Sequence, residues 1–188
     1  RQRQMCIRDS YIFGRLTGAT VDEDGMPFVG PDALDELVYE ARDALFYGTE
    51  VGIEADVADI GDGVLSVDGQ FDWVRGRFQN LMAAGDRDIP RITPIRWGGG
   101  ISFESDRVRG RLGFLRTEDQ DHVATAETPT GSFTMIDLQL ALPLGAWAGG
   151  WLGDCDVELL LDARNLNDAR GRNHLAFNKD EVRLRGRS

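Results

Sequence analysis

The stretch Leu65-Ser66-Val67-Asp68-Gly69-Gln70-Phe71-Asp72-Trp73 decides the fold. Its odd positions are Leu65, Val67, Gly69, Phe71 and Trp73, and its even positions Ser66, Asp68, Gln70 and Asp72. A period of two over this length calls for an extended strand with one oily and one polar face, because successive side chains leave a pleat on opposite sides. A helix would scatter both sets around its axis.

Reading outward, the third strand is expected over Val64–Phe78, behind a tight turn at Asp59–Gly63. Before that turn, a second strand from about Leu37 to Ala58 sets Tyr47, Val51, Ile53, Ala55 and Val57 against Glu50, Glu54 and Asp56. A short first strand, about Tyr11–Thr17, is followed by a polar stretch from Gly18 through Asp22-Glu23-Asp24-Gly25 to Pro31-Asp32. Beyond the loop Gln79–Arg91, the fourth strand places Ile95, Trp97, Gly99, Ile101 and Phe103 opposite Arg96, Gly98, Gly100, Ser102 and Glu104. Ser105-Asp106 reads as a minimal turn. The fifth strand opposes Val108, Gly110, Leu112 and Phe114 to Arg107, Arg109 and Arg111. After the loop Glu118–Gly131, the sixth opposes Ile136, Leu138, Leu140 and Leu142 to Asp137, Gln139 and Ala141. A Gly- and Trp-rich connection, Pro143–Asp154, leads to the seventh, where Val157, Leu159, Leu161 and Ala163 oppose Glu158, Asp162 and Arg164. The tail Asn165–Ser188 is polar and non-periodic.

Composition narrows the function classes. With 21 Lys+Arg against 32 Asp+Glu, the net charge of −11 speaks against a nucleic-acid partner. No apolar run approaches the ~18 residues of a transmembrane helix, a criterion that does not touch barrels, whose strands hide hydrophobicity in alternation. Cys6 and Cys155 stand far apart and form no metal, redox or disulfide framework. At 188 residues the chain is one domain or part of a larger one. Arg1–Ser10 differs in character from the remainder of the chain and resembles translated sequencing-adapter sequence. It is expected to lie outside the fold as a leader, with 11–188 the folded part; a genuine basic arm is the alternative. No secretion signal is visible, which an outer-membrane protein requires, so the true N-terminus is expected upstream.

Three features separate a membrane barrel from a soluble β-sandwich whose charged faces simply meet solvent. Several strands are longer than the ~5–6 residues usual in soluble sheets; at ~3.3 Å per residue, 15 residues span ~50 Å, against an apolar band of ~25 Å. Connections alternate short (59–63, 105–106) and long (18–36, 79–91, 118–131, 165–188), as periplasmic turns and extracellular loops do. Only Pro143–Asp154 is longer than that rule allows. Aromatics on the oily parity gather near strand ends: Tyr47, Trp73, Trp97 and Phe114 toward the long loops, Phe103 toward the turns, and Trp147 and Trp151 in a short-side connection. The polar parity would line a wet lumen and pair across strands.

Three stretches resemble the C-terminal barrel region of TonB-dependent outer-membrane receptors. Tyr47-Gly48-Thr49-Glu50-Val51-Gly52-Ile53-Glu54-Ala55 is similar to the family's Gly-x-Glu strand. Glu127-Thr128-Pro129-Thr130-Gly131-Ser132-Phe133-Thr134-Met135-Ile136-Asp137 is similar to its Thr-Pro…Tyr-Thr-x-x-Asp strand start. Most specific is Asn165-Leu166-Asn167-Asp168, then Arg172-Asn173-His174-Leu175-Ala176-Phe177-Asn178-Lys179-Asp180 and Gly186-Arg187, which resembles the family's Asn-Leu-x-Asp and Arg-Asn-His-x-x-x-x-Lys-Asp…Pro-Gly-Arg ending. The chain departs from the pattern at Arg185, where the family usually has Pro, and it stops at Ser188, before the family's final strand with its terminal aromatic. Neither the N-terminal plug nor its TonB-contacting box is present. The resemblance implies the last third of a large plugged barrel of ~22 strands.

It further implies an outer-membrane receptor and active transporter in a Gram-negative bacterium, for a scarce metal or its chelate (ferric siderophore, zinc, copper or cobalamin). The TonB complex would energise it through the plug, and outer-membrane lipid would surround it. The alternatives are a passive porin-type barrel and a soluble β-sandwich binding module. No nucleophile–base motif, phosphate loop or paired catalytic carboxylates are present, so no enzyme, catalytic residue, cofactor or metal ligand is assigned. His122, with Asp119 and Asp121 nearby, and His174 lie in expected extracellular loops, where lone histidines are ordinarily solvated. Asp22-Glu23-Asp24-Gly25 lacks the later ligands of a calcium loop. Asn165 and Asp168 are expected to shape a turn through side-chain to backbone bonds. The arginines of the fifth strand are expected to pair with acidic neighbours, with contact to an anionic siderophore as the alternative.

Overall fold

The computed structural model describes residues 2–79, 87–124, 127–144 and 157–188, with backbone alone for residues 2–10, 13, 15 and 16. Trp147 and Trp151 lie outside the described residues. Seven strands succeed one another: β1 (Gln2–Val21), β2 (Leu34–Ile60), β3 (Gly63–Phe78), β4 (Arg96–Glu104), β5 (Arg109–Thr117), β6 (Phe133–Pro143) and β7 (Glu158–Ala163). They pair only with their sequence neighbours, all antiparallel, in one open sheet ordered β1 to β7. The fold is all-β and up-and-down, consistent with part of a barrel.

Register converts alternation along each strand into rows across the sheet. One row runs Ala55, Val67, Ile101, Leu112, Leu138 and Ala163, apolar throughout. The next runs Glu54, Asp68, Gly100, Gly113 and Asp137, polar or glycine throughout. A slip of one residue in any pair would mix the two, so the pattern pins the register.

Among the described residues, no second layer covers the apolar rows. Ile53 is 69% exposed, Ile101 55% and Leu112 51%, with Phe71, Trp97, Leu159 and Leu161 also exposed. The buried apolar residues among those described are Ala44, Phe78 and Ile89. A sandwich would bury its oily sides between two sheets at ~10 Å separation; this chain leaves them bare.

Three details differ from the sequence reading. The ladder of β1 begins at Gln2 rather than Tyr11, pairing Gln2–Ser10 with Asp43–Val51. That segment lacks alternation, so the backbone groups along the long edge of β2 provide the pairing. β2 itself runs 27 residues, and its Leu34–Asp43 part pairs only with β1. The stretch 18–36, read as a loop, is therefore partly a two-stranded ribbon rising past the end of β3. Finally, Glu104 pairs with Arg109, and Ser105 donates its backbone N–H to Val108 O at 2.9 Å, which moves the turn to Asp106-Arg107. The shift from the expected register is two residues, so every side chain keeps its face.

Two irregularities shape the β2–β3 hairpin. At the β2–β3 turn, Gly61 has φ +67, as the first position of a two-residue hairpin turn favours. Just before it, β2 carries a bulge between Asp56 and Ala58. The extra residue reverses parity, so Ile60 joins the exposed apolar face.

Candidate ligand-facing wall and loop platform

The polar face is an array of cross-strand ion pairs. Arg96 of β4 pairs with Asp72 of β3, and Arg109 of β5 reaches past β6 to Glu158 of β7. Arg111 Nη2 lies 2.5 Å from Asp68 Oδ1, two strands away. That reach depends on glycine: a Cβ on Gly100 would stand 2.7 Å from both the Arg111 guanidinium and the second Asp68 oxygen. Ser66 Oγ donates to Asp56 Oδ1 at 2.7 Å, and Arg107 sits 3.9 Å from Asp62, joining two neighbouring turns. Arg107 in the turn and Arg109 and Arg111 of β5, the three arginines read onto the fifth strand, thus each face a carboxylate. Each partly exposed pair is worth ~0–1 kcal/mol, so the array sets the chemistry of the face more than its stability.

The opposite face carries an apolar band bounded by aromatics. From Leu65 to Trp73 the strand rises about 27 Å at ~3.4 Å per residue, close to the ~25 Å of a barrel's lipid-facing band. At its loop end, Tyr47 and Trp73 meet edge-on with centroids 5.7 Å apart, and Trp97 and Phe114 do so at 5.6 Å. The Trp97 indole donates to Glu118 Oε1 at 2.8 Å, presenting an apolar ring below and a polar contact above. That indole, and after it the Arg116 guanidinium, holds the Glu118 carboxyl below its usual range.

Above the wall, loops fold over the sheet. Phe78 N–H donates to Arg87 O, and Ile89 enters a small cluster with Ala44 and Phe78, flanked by Tyr11, Phe46 and Ile92. Ala44, Phe46 and Phe78 share the parity of Asp72, so this loop is pinned over the polar face. A cleft of about 390 Å³ opens between the end of β3 and two loops, bordered by Trp73, Arg75, Asp88, Gln120 and His122. His122 is exposed there, 3.7 Å from Asp121 Oδ1. Among the described residues, no group of three or more His, Cys, Asp or Glu is arranged to hold a metal ion. Asp22 Oδ1 accepts the Asp24 and Met26 amides at 3.0 and 2.8 Å, which shapes a turn.

The tail is where the sequence reading needs correction. His174, expected to be a solvated loop histidine, is 2% exposed. Its Nδ1 lies 3.0 Å from Thr130 Oγ1 and 3.4 Å from Lys179 Nζ, and its Nε2 lies 3.1 Å from Glu127 Oε1 without hydrogen-bond alignment. Lys179, also buried, donates to Glu127 Oε1 at 3.1 Å and to Thr128 O at 2.7 Å. Glu127 further accepts the Arg91 backbone N–H at 3.0 Å. A basic residue five positions after the histidine, and a glutamate before Thr-Pro, are visible in the sequence. Their convergence is not, because it joins segments some fifty residues apart. Desolvation, then the charge of Lys179, lowers the His174 pKa, while Glu127 and Asp180 raise it; the net direction is down.

Asn165 and Asp168 do shape the start of the tail. Both adopt left-handed backbone, φ 53 and 51, which Asn and Asp tolerate better than most residues. Asn165, 1% exposed, accepts the Ala169 amide at 2.7 Å and donates to Ala169 O and Arg185 O. The chain then returns to β7, where Arg164 and Ser188 exchange both backbone hydrogen bonds, at 2.8 and 3.2 Å.

No protein-family model matches this chain, and no curated protein sequence matches it significantly.

Proposed function

We propose that this chain is part of the barrel wall of a TonB-dependent outer-membrane receptor that imports a scarce metal or its chelate. The observation that carries the reading is the single sheet with a bare apolar face on one side and an ion-paired face on the other. In water, a face of that kind is an aggregation hazard; against lipid it is at home, and the polar face then borders an enclosed aqueous space. The aromatic boundary and the alternation of two-residue turns with long, packed loops support the same orientation. On this reading the barrel's share in transport is passive. The loops receive the ligand, the polar wall lines its path once the plug moves, and no residue here does bond chemistry.

Two measurements test this reading. The protein should stay with the membrane pellet through alkaline carbonate extraction; release without detergent would favour a soluble module. In cells carrying the parent gene, growth on a ferric chelate as sole iron source should require a functional TonB complex. Uptake indifferent to TonB would point to a passive pore instead.

A further inference from the structure

We propose that Glu127, His174 and Lys179 form an acid-sensitive latch that clamps the 165–188 segment onto the 118–131 loop and loosens when His174 takes up a proton. This stands on the buried geometry of the platform and does not require the transport reading.

Charged and titratable groups approach the ring from three segments. From the 118–131 loop come the Glu127 carboxylate at Nε2 and the Thr130 hydroxyl at Nδ1. From the tail come the Lys179 ammonium near Nδ1 and, further off, Asp180, which accepts from Thr128 Oγ1 and lies 3.5 Å from Arg172. From the 87–95 segment comes the Arg91 amide, held by Glu127, while the Arg91 guanidinium covers the Phe177 ring.

A neutral ring fits this shell in one tautomer. Its Nε2–H then lies on the side of Glu127, 3.1 Å from Oε1 but out of hydrogen-bond alignment, and its bare Nδ1 accepts from Lys179 or Thr130. A proton on Nδ1 removes that acceptor and sets a second cation 3.4 Å from the Lys179 ammonium. One buried carboxylate then serves two cations, in a site with almost no water to screen them. Released into solvent, the same imidazole would titrate near its ordinary value of about 6.5.

Linkage sets the direction of the pH effect. The latched state binds the proton less readily than the released state, so acid favours release. The clamp is at full strength above about pH 6.5. It weakens as pH falls below that value, and the loss ends once the latched ring is also protonated.

The test uses the full chain in detergent micelles. Ring NMR of the wild type should show His174 titrating below the ordinary imidazole value of about 6.5. Hydrogen exchange at the Thr130 and Leu184 amides, which donate to Gln120 O and Gly171 O, should lose several-fold in protection between pH 7.5 and 5 after correction for intrinsic rates. H174Q should flatten that profile, and K179M should raise the His174 titration. His174 titrating at or above that ordinary value, or an unchanged acid profile in H174Q, would overturn the latch. Should H174Q fail to fold, the wild-type titration decides alone.

Discussion

The strand wall and the loop platform of this molecule are built on opposite principles. Among the described residues, the wall between Leu65 and Trp73 has no side-chain core: its apolar residues are exposed or half-buried, and its charges are paired on an open surface. Within the platform, a few residues are sealed almost completely, and most of them, Gln120, Thr130, Asn165, His174 and Lys179, are polar. The wall is a periodic object whose stability depends on what lies against its oily side. The platform is held by specific, non-repeating contacts between buried donors and acceptors. A substitution should therefore be read by face in the wall and by hydrogen-bond partner in the platform.

The largest expected effect breaks the wall on its oily side. Ile101 faces outward near the middle of the apolar band, level with Val67 and Leu112. Ile101→Arg should cost about 2–4 kcal/mol when the chain unfolds from lipid vesicles, because in the proposed orientation the guanidinium would sit near the bilayer midplane. Gln70→Arg, on the polar face between the Glu54 and Asp72 rows, should change stability by less than about 1 kcal/mol. Denaturant titration in the same vesicles checks both. Equal costs at the two positions would mean that lipid does not distinguish the faces.

A smaller effect sharpens the platform half of the comparison. Asn165→Ala strips the side chain from a site where it closes bonds to Ala169 and Arg185, and it leaves alanine in a left-handed backbone. The unmet buried groups should cost about 1–3 kcal/mol. The loss should be local to the tail: hydrogen exchange should quicken across 165–188 and stay unchanged in β3 and β4. Quickening throughout the sheet would show that wall and platform unfold as one unit.

What the sequence discloses divides along the same line. The strands of the wall are legible because alternation is a local property, and each face can be assigned from residues such as Val67 and Asp68 without knowing their neighbours. Even placing the turn at Ser105-Asp106 leaves the faces intact, since a two-residue shift preserves parity. The bulge beside Ala58 cannot be read, because nothing in Asp56-Val57-Ala58 marks an extra residue. The reach of β2 back to Leu34 is obscured by the polar, Gly- and Pro-bearing segment before it. In the platform, the local part is readable: Asn165 and Asp168 are expected to bond nearby backbone. His174 reads as solvated because its burial comes from Glu127 and Thr130, which no local pattern ties to it. Long-range polar contacts leave little periodic trace in one sequence.

The smallest predicted effect lies at the boundary between the two regions. Glu118 belongs to the platform, yet its carboxyl is held below the ordinary range first by the indole of Trp97, a wall residue, and then by Arg116. A group whose folded pKa is depressed adds stability above its unfolded pKa and loses it as pH falls through the folded value. Trp97→Phe keeps the ring against Phe114 and removes only the N–H donor. The Glu118 titration, monitored by carboxyl-carbon NMR, should therefore move up toward the usual carboxylate value, with little change in unfolding midpoint because the site is open to water. Arg116→Met should move it by less, since Arg116 divides its donors among Glu118, Ser132 and Thr134. If Arg116→Met produced the larger shift, the Arg116 ion pair and not the indole contact would be setting the Glu118 carboxyl.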